Sequence, residues 1–534
     1  MTDRDWRTLR DERRVLVVAR TVTALTRLAD ILALTAPDHR IQTYFTHDPA
    51  HPAVFGAGVE RLLDRLDPVV VPWREARRDR FHLALSVSEN DRLHQLRSPV
   101  LLMPHGVGYQ KYYPDSQVVS GLNPARLVRA GRVIPATIGV PHPAQREQLR
   151  AACPEAAPRA AVVGDPSLDR MLDNQHRDLV YRAALGAAGR KLVLLASTFG
   201  PHSLFGRWPD LPELLVARLP ADEYRIVIVM HTGVWAKHGP WQVRGWLSRA
   251  GAYGLRILPP ESGWQAALVA ATCVLSDEGS LSLYAAALDK PLLLAPGGGS
   301  PTTVPGSALA WLGATAPRLD PGRDLRRQID ATIDRHDPGV ADTARAATFD
   351  APGRCATRLR PLIYRLIDLP EPSGEPAFAP IPAPDATAER VPAHVVGAST
   401  SDDDVTVVRY PDLPTGDAPD DLDHRHLVAD IATATAAQVG AATIIVTDRE
   451  ADAPELLTRW PAALLVAVAP DPHTCRIHTR TLTGTLRLTG LASDVDPVVL
   501  ASLAHVRLRS GGTLSPRDQL RVGDRVIPVW TEVD

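Results

Sequence analysis

Short apolar runs typical of buried strands alternate with helical patterns through the first two thirds of this chain. The run RVLVVAR (14–20) predicts a buried strand, and TALTRLADILALTA (23–36) predicts the helix after it. Further strands are predicted at 41–46, 68–73, 82–87 and 99–104. A second series is predicted at 159–164, 191–197, 224–230, 254–259, 271–276 and 290–296. Apolar strands separated by helices predict two parallel, doubly wound sheets with a ligand cleft between them.

The length of the chain requires more than one domain. Its 534 residues exceed the ~250–300 residues at which single cores stop growing. We predict Rossmann-like domains over residues 1–150 and 151–368, and an extended Pro- and Ala-rich linker over 369–394. A small α/β domain is predicted over residues 395–534, and the sequence does not indicate its role. Its expected elements are strands at 405–410, 442–448 and 463–470, a helix at 423–440 and a hairpin at 482–490.

Composition narrows the class of protein. The net charge is -2, whereas proteins that bind nucleic acid usually carry an excess of positive charge, so no nucleic-acid partner is expected. Four scattered cysteines form no metal or disulfide pattern, and no G-x-x-x-x-G-K-[ST] loop is present. Without a long apolar run or a leader-like start, a cytoplasmic protein with no transmembrane segment is expected. Peripheral membrane contact and a protein partner for the C-terminal domain stay open.

The sharpest candidate site is the turn Ser276-Asp277-Glu278-Gly279-Ser280, between a strand and a helix that starts near residue 281. Exposed backbone N–H groups at a helix N-terminus favour anions such as a pyrophosphate. Gly279 would let the backbone approach such a ligand closely. A plain N-cap by Asp277 or Ser280 explains the same residues without a ligand, so both interpretations stay open.

Two histidines also follow predicted strands. His105 stands after the strand at 99–104 and before Gly106, and His231 follows the strand at 224–230. Open α/β sheets bind ligands at the carboxyl ends of their strands, and a histidine there suits a general base. Ser197 and Thr198 end another strand and could contact a phosphate or a base. The alternative for all four residues is a structural role without a ligand, as histidines in loops or as parts of simple turns.

The order of these motifs resembles that of the teichoic-acid CDP-glycerol glycerophosphotransferases. That family has an HG loop, a G-x-P-x-x-D turn, a Ser/Thr-rich strand end, a strand ending in His, and S-D-x-x-S before a K-P strand. The matching positions are His105-Gly106, Gly164 to Asp169, Ser197-Thr198, His231, Ser276 to Ser280, and Lys290-Pro291. The family's Lys is displaced by one residue to Lys111, Thr232 replaces its Pro, and Ser167 replaces its Arg.

The resemblance implies a glycosyltransferase-B fold and transfer of a glycosyl or glycerophosphoryl group from a nucleotide-diphosphate donor to an acceptor hydroxyl. His105 is then the base that takes the hydroxyl proton. The donor is bound by residues of the second domain, namely Ser197, Thr198, His231, Asp277, Gly279, Ser280 and Ser282. The helix terminus would stabilise the leaving charge, so no metal and no cofactor are expected.

Two other functions remain open. A UDP-sugar epimerase-like enzyme would share the fold and the Asp-Glu-Gly-Ser turn. A catalytically inactive, glycosyltransferase-like binding or scaffold protein is the second alternative, because the positions of Lys111 and Thr232 depart from the family pattern.

Overall fold

The computed structural model describes residues 8–51, 53, 55–385, 390–401, 404–413, 419, 422–480, 483–488, 495–511 and 514–533. These residues form two parallel sheets and one closed barrel, in that order along the chain, with a two-stranded antiparallel ribbon in the first part. The prediction of a mixed α/β protein with two parallel sheets is confirmed. No helix in the described part of the chain is long and apolar enough to cross a membrane.

The first part of the chain builds a six-stranded sheet and the helices around it. Its elements are β1 (Arg13–Val18), α1 (Val22–Leu32), β2 (Ile41–Thr46), α2 (Val59–Leu66), α3 (Trp73–Ala76), β3 (Leu83–Ser86), β4 (Val100–Leu102), α4 (Pro124–Leu127), β5 (Val128–Arg129), β6 (Arg132–Val133), β7 (Thr137–Val140), α5 (Pro143–Ala152) and β8 (Ala160–Val162).

The middle of the chain builds a five-stranded sheet and a helical end. Its elements are α6 (Pro166–Asp173), α7 (Asp178–Ala184), β9 (Lys191–Ser197), α8 (Leu204–Arg207), α9 (Leu211–Arg218), β10 (Tyr224–Met230), α10 (Thr232–His238), α11 (Pro240–Ala252), β11 (Arg256–Ile257), α12 (Trp264–Ala270), β12 (Cys273–Ser276), α13 (Ser280–Ala287), β13 (Leu292–Leu294), α14 (Ala308–Thr315), α15 (Leu325–Asp334), α16 (Gly339–Thr348) and α17 (Cys355–Leu366).

The C-terminal part builds the barrel. Its elements are β14 (Ala393–Thr400), β15 (Asp404–Pro411), β16 (His426–Asp430), α18 (Ala436–Ala441), β17 (Ile444–Thr447), α19 (Ala453–Arg459), β18 (Leu465–Asp471), β19 (Thr474–His478), β20 (Thr483–Leu488), α20 (Val499–Arg509), β21 (Arg517–Val522) and β22 (Arg525–Val533).

The first sheet has the strand order β2-β1-β3-β4-β7-β8, and all its strands are parallel. Two predictions for this region are wrong. The run at 159–164 opens no second sheet, because β8 pairs with β7 at the edge of the first. The run at 68–73 forms only one bridge, between Val70 and Phe45. Pro68 and Pro72 flank that bridge and have no N–H to donate to a neighbouring strand.

The second sheet has the order β11-β10-β9-β12-β13 and is also parallel throughout. Alternate residues of β9 enter different cores: Leu192 and Leu194 pack in one, Val193 and Leu195 in the other. Because side chains alternate across a strand, both faces of this sheet are covered by helices. Strands buried on both faces are apolar at nearly every position, so they can be predicted from the sequence.

Helix α17 returns to the first sheet after the second is complete. Its Leu359 and Ile363 pack in the same core as Val15 and Val17 of β1. Asp169 of α6 holds the start of α17, where its carboxylate accepts from the N–H of Cys355 at 2.6 Å. Helix α17 therefore crosses back over the first sheet.

The segment predicted as a linker is extended from residue 369 to 385, and residues 386–389 lie outside the described part of the chain. This segment is packed against the rest of the protein. Phe378 and Ile381 are buried, and the carbonyls of Ala379 and Pro380 accept hydrogen bonds from Arg170. The segment thus packs along the two sheets before it reaches the barrel.

The barrel has the strand order β14-β15-β21-β22-β20-β19-β18-β17-β16 and closes where β16 pairs with β14. The helix predicted at 423–440 is wrong, because residues 426–430 pair between β14 and β17 and only 436–441 are helical. The hairpin predicted at 482–490 is also wrong. Residues 483–488 are one strand between β19 and β22, and 482, 489 and 490 lie outside the described residues. Tertiary pairing decides both segments.

A buried ion pair joins the barrel to the second sheet. Arg409 of β15 donates to both carboxylate oxygens of Asp222, at 2.7 and 2.8 Å, and also to Asp496 at 2.7 Å. Arg409 and Asp222 are each 3% exposed. Burial works against the charge of Asp222, but the Arg409 guanidinium holds its pKa at about 2. The barrel is therefore attached to the second sheet through a buried, hydrogen-bonded ion pair.

Replacing Arg409 by Met should destabilise the folded protein by about 3–5 kcal/mol, because Asp222 is left as an uncompensated buried charge. The double variant Arg409→Met/Asp222→Asn should recover much of that loss, since the buried charge is then gone. Urea unfolding followed by circular dichroism measures both. Equal stability of the single variant and the wild type would show that this contact does not hold the barrel in place.

Two histidines are buried together in the core of the barrel. The rings of His426 and His505 lie 4.7 Å apart. His426 donates from Nδ1 to the carbonyl of His424, so its Nε2 accepts from Ser502 at 2.9 Å. Burial, together with the neighbouring His426, lowers the pKa of His505 to about 4. Both rings are therefore neutral at physiological pH.

Acid should weaken the barrel through His505. Its folded pKa lies below the ~6.5 of an unfolded histidine, so unfolding takes up protons between these values and stability falls as pH drops from 6.5 towards 4. Melting temperatures across that range should fall less steeply in His505→Gln than in the wild type. The exposed His39→Gln serves as control and should keep the wild-type slope. A variant slope equal to that of the wild type would contradict this prediction.

Candidate active site

The carboxyl ends of strands from both sheets meet at one cleft. β3 leads to Glu89 and β4 leads to His105, both from the first sheet. In the second sheet, β9 leads to Thr198, β10 to His231 and β12 to the turn that opens α13. A Cβ on Gly106 would lie 2.7 Å from the hydroxyl of Ser280, and a Cβ on Gly279 would lie 2.6 Å from Thr198, so the loop after β4, the α13 turn and the end of β9 are in contact. The structure thus assembles the segments that the sequence singled out.

Arg27 of α1 fixes the geometry of this cleft. Its guanidinium donates to the carbonyl of His105 at 3.4 Å and to Asp165 of the second half at 3.4 Å. It also donates to the hydroxyl of Tyr284, which in turn donates to Asp165 at 2.9 Å. Arg27 is 6% exposed, and its partners keep its pKa raised in spite of burial. One buried cation therefore holds the His105 loop and the α13 helix together.

His105 is exposed to the cleft although protein surrounds it. Removal of surrounding water lowers its pKa, Arg27 lowers it further, and Glu89 and a hydrogen bond to the backbone of Val87 oppose this. In the neutral ring one nitrogen carries the proton and the other keeps a lone pair, so His105 can accept a proton at neutral pH.

His231 has the opposite arrangement. It is the N-cap of α10, and its Nδ1 accepts from the N–H of Gly233 at 2.9 Å. In the neutral ring the proton must then be on Nε2, which makes His231 a hydrogen-bond donor. Burial, with His105 and Lys111 nearby, lowers its pKa to about 4. Its ring packs 5.0 Å from Phe199 and 5.9 Å from Phe55, so its orientation is held from both halves.

The turn before α13 is built around two buried acids. Asp277 accepts from the N–H groups of Thr198 at 2.8 Å and Leu204 at 2.7 Å through one oxygen. Its other oxygen has no partner in the described chain, and burial raises its pKa. Glu278 accepts from Arg318 at 2.7 Å and from the N–H of Ser300 at 2.9 Å. Asp277 therefore ties the turn to the end of β9, and Glu278 ties it to the loop before α14.

The start of α13 keeps free donors. Its N-cap is Gly279, which has no side chain with which to cap the helix. The hydroxyl of Ser282 accepts from the N–H of Gly279 at 3.3 Å and donates to its carbonyl at 2.7 Å. The next N–H groups belong to the first turn of the helix and have no intrahelical partner. Ser280 is half-buried at this point, so N–H groups and a hydroxyl are presented together.

Not every residue of the predicted set faces the cleft. Ser282 is completely buried within the turn just described. Ser197 is also buried, and its hydroxyl accepts from the N–H of Phe205 at 3.1 Å at the start of α8. Thr198 is half-buried. His105, Thr198, His231, Gly279 and Ser280 form the part of the set that converges, with Asp277 beneath them.

Sequence reasoning missed three contributors. Lys111 was noted only as a displaced family residue, yet its ammonium interacts electrostatically with Asp277 and Glu278 of the α13 turn. Removal from water lowers its pKa, and the two acids oppose this. Glu89 supports His105, and Arg27 fixes the loop. No local motif marks these residues. The one signal that could have found Glu89 is its position after the strand β3.

A cavity of about 220 Å³ lies near the site. It lies between the two halves and adjoins the site through Thr232, which follows His231. Its walls are Val22, Ala57, Gly58, Arg61, Leu62, Arg65, Thr232, Trp235, Pro240, Pro260 and Glu261. At the α13 turn the halves touch instead: a Cβ on Gly106 would lie 2.7 Å from the hydroxyl of Ser280. In the described residues, no group of three or more His, Cys, Asp or Glu could hold a metal ion.

Comparison with known proteins gives distant structural likeness only. No protein-family model and no curated protein sequence matches the chain. The wall teichoic acid polymerase TagF is 11% identical with a TM-score of 0.47, over 67% of this chain and 90% of that structure. HepE from Anabaena, in complex with UDP and glucose, is 14% identical with a TM-score of 0.37, over 67% of this chain and all of that one. Such values do not identify the function of this chain.

Gly106→Ala should destabilise the contact between the two halves by about 1–3 kcal/mol, because the added methyl group collides with the Ser280 hydroxyl. Adding Ser280→Gly should restore most of the loss. Denaturant unfolding of the single and double variants measures the coupling. Gly245→Ala is the control, since a Cβ there meets open space. If Gly106→Ala behaves like Gly245→Ala, the halves do not touch at this point in solution.

Proposed function

We propose that this protein is a transferase that moves a glycosyl or glycerophosphoryl group from a nucleotide-diphosphate donor to an acceptor hydroxyl. The observation that supports it best is the contact across one cleft between the His105-Gly106 loop and the start of α13, where Gly106 lies against Ser280. We propose that the two sheets form the halves of a glycosyltransferase-B arrangement, with the donor on the second half.

The donor's pyrophosphate would lie against the start of α13. The N–H groups after Gly279, the hydroxyl of Ser280, the Nε2–H of His231 and the ammonium of Lys111 all offer hydrogens or positive charge there. Donors fixed in advance stabilise charge that develops on a leaving group without reorganisation. Asp277 has one oxygen without a partner and would accept from a hydroxyl of the donor.

His105 would act as the general base. Its free ring nitrogen takes the proton of the acceptor hydroxyl as the oxygen forms its bond to the transferred carbon or phosphorus. The bond from that atom to the nucleotide breaks, and the electron pair leaves with the nucleotide phosphate. Glu89 would stabilise the imidazolium that forms, since it already favours the charged ring. No cofactor and no metal take part in this scheme.

The acceptor would approach from the 220 Å³ cavity. That space lies beside Thr232, and its walls combine apolar groups with the charged side chains of Arg61, Arg65 and Glu261. Arg65 is paired with Glu261 of the second half at 2.8 Å. A small hydroxyl compound placed there would reach the cleft from the first half, opposite the bound donor.

One observation favours a second function, that of a binding protein without catalysis. The contact between Gly106 and Ser280 leaves no gap where a pyrophosphate must enter. The halves must separate there before a donor can bind. A protein whose two halves never separate would keep the fold but would catalyse no transfer.

His105→Ala should lower the transfer rate by ~10²–10⁴-fold and leave nucleotide affinity nearly unchanged, because the base acts on the acceptor. His231→Ala should weaken nucleotide binding first, since it removes a donor to the phosphate.

The wild-type rate should fall on the acid side of pH 6.5, where His105 with its lowered pKa becomes protonated. The donor is identified by the CDP, UDP, GDP or TDP derivative that raises the melting temperature. The transfer rate is then measured from the release of the nucleotide product.

His176→Ala, an exposed histidine away from the cleft, is the matched control and should retain both properties. Equal losses of affinity and rate in His105→Ala would place His105 with the donor instead. Absence of stabilisation and turnover with every nucleotide derivative would support the binding-protein alternative.

A further inference from the structure

The cavity of about 220 Å³ is enclosed by both halves of the protein. Two direct contacts join the halves at its walls. The hydroxyl of Thr232 lies 2.6 Å from the hydroxyl of Thr23 on α1, and Arg65 of α2 donates to Glu261 of the second half at 2.8 Å. Thr232, Arg65 and Glu261 all line the cavity, so a compound bound there would contact both halves at once.

The start of helix α2 forms part of the first-half wall and has no side-chain cap. Its N-cap is Gly58, which offers no side-chain oxygen to the first N–H groups of the helix. Such N–H groups have no intrahelical partner and give the helix end a partial positive charge. The guanidinium of Arg61 stands over the same point, because one of its nitrogens lies 3.4 Å from where a Cβ on Gly58 would be. Both residues line the cavity.

The charge of Arg61 is not balanced by a neighbouring acid. Within the described residues, Arg61 makes no ion pair and no side-chain hydrogen bond. The other two charged walls, Arg65 and Glu261, are paired with each other. Glu60 is the acid of the first turn of α2, but it lies 3.5 Å from His47 and is not part of the wall. The walls therefore carry one net positive charge.

Trp235 gives an independent sign that the cavity holds a ligand. This residue lines the cavity from the second half and is 5% exposed, yet its indole N–H has no acceptor among the described residues. A buried donor without an acceptor costs free energy, so such groups in folded proteins usually have a partner. The remaining walls are largely apolar and include Val22, Leu62, Pro240 and Pro260.

We propose that this cavity binds a small compound with one carboxylate and an apolar body. The carboxylate accepts from Arg61 and the start of α2 on the first half, and from the indole N–H of Trp235 on the second. Its single negative charge matches the single excess positive charge of the walls. A phosphate monoester carries about −1.5 to −2 charges, so it would leave negative charge uncompensated in a partly apolar space.

This ligand also defines the acceptor, a step that rests on the proposed function. The acceptor is then a hydroxycarboxylate, whose carboxylate is held in the cavity while its hydroxyl reaches the cleft past Thr232, the residue after His231. Binding of the carboxylate itself requires neither a nucleotide nor turnover.

The test is isothermal titration calorimetry of the full-length protein, without nucleotide, against benzoate, benzyl alcohol and phenyl phosphate. We expect saturable binding of benzoate, at least about tenfold weaker binding of phenyl phosphate and no binding of the alcohol. Arg61→Gln should lower the affinity for benzoate about ten- to a hundredfold, because a hydrogen bond to a charged group is lost. Trp235→Phe keeps an aromatic ring and removes the N–H, so it should lower the affinity about three- to tenfold.

Arg132→Gln is the matched control, because Arg132 is an exposed arginine of β6 that does not line the cavity. It should bind benzoate like the wild type. Failure of the wild type to bind benzoate, equal binding of benzoate and benzyl alcohol, or tighter binding of phenyl phosphate would overturn the proposal. Unchanged affinity in Arg61→Gln or in Trp235→Phe would also overturn it.

The acceptor step is tested separately, in the transfer assay. Benzoate should compete with the acceptor there, since both carboxylates occupy one cavity. Inhibition that is not competitive, or transfer to a neutral alcohol that benzoate does not affect, would overturn the hydroxycarboxylate acceptor while the proposed transfer stands. Benzoate binding with no transfer from any nucleotide donor would instead count against the proposed function and leave the carboxylate site in place.

Discussion

The buried contact of Arg27 with Asp165 and Tyr284 is the interaction on which the rest of this structure depends. It crosses from α1 of the first half to α6 and α13 of the second, and all three side chains are almost fully buried. A buried charge is tolerated only when it is paired and hydrogen-bonded, so the position of each half is tightly defined by the other. Asp30, one turn along α1, pairs with Arg170 in the same way.

The properties of the cleft follow from that constraint. Arg27 also holds the carbonyl of His105, so the loop after β4 is fixed against α13. Removal from water lowers the pKa of both His105 and His231, so both rings are neutral at neutral pH. The hydrogen bond that His231 accepts from Gly233 makes its Nε2 a donor, whereas His105 keeps a ring lone pair. Two histidines of equal chemistry become different because their neighbours differ.

Much of the fold could be predicted from the sequence, and the failures share a cause. The strands β9, β10 and β12 are buried on both faces, so their apolar runs are unmistakable. Residues 423–440 looked helical, yet His426–Asp430 pair between two strands of the barrel. Likewise, Ala160–Val162 looked like the start of a new sheet but completes the first. Partners distant in the chain decide such short segments, and local propensity does not see them.

The sequence by itself determined which segments end at the cleft, because His105, His231 and the 276–280 turn each follow a strand of a parallel sheet. Strand polarity alone places such ends on one edge. Only the tertiary structure decided which side chains face that edge. It buried Ser197 and Ser282 in local hydrogen bonds, brought in Lys111, Glu89 and Arg27, and closed Gly106 against Ser280. These outcomes depend on distances between elements far apart in the chain, which no local pattern encodes.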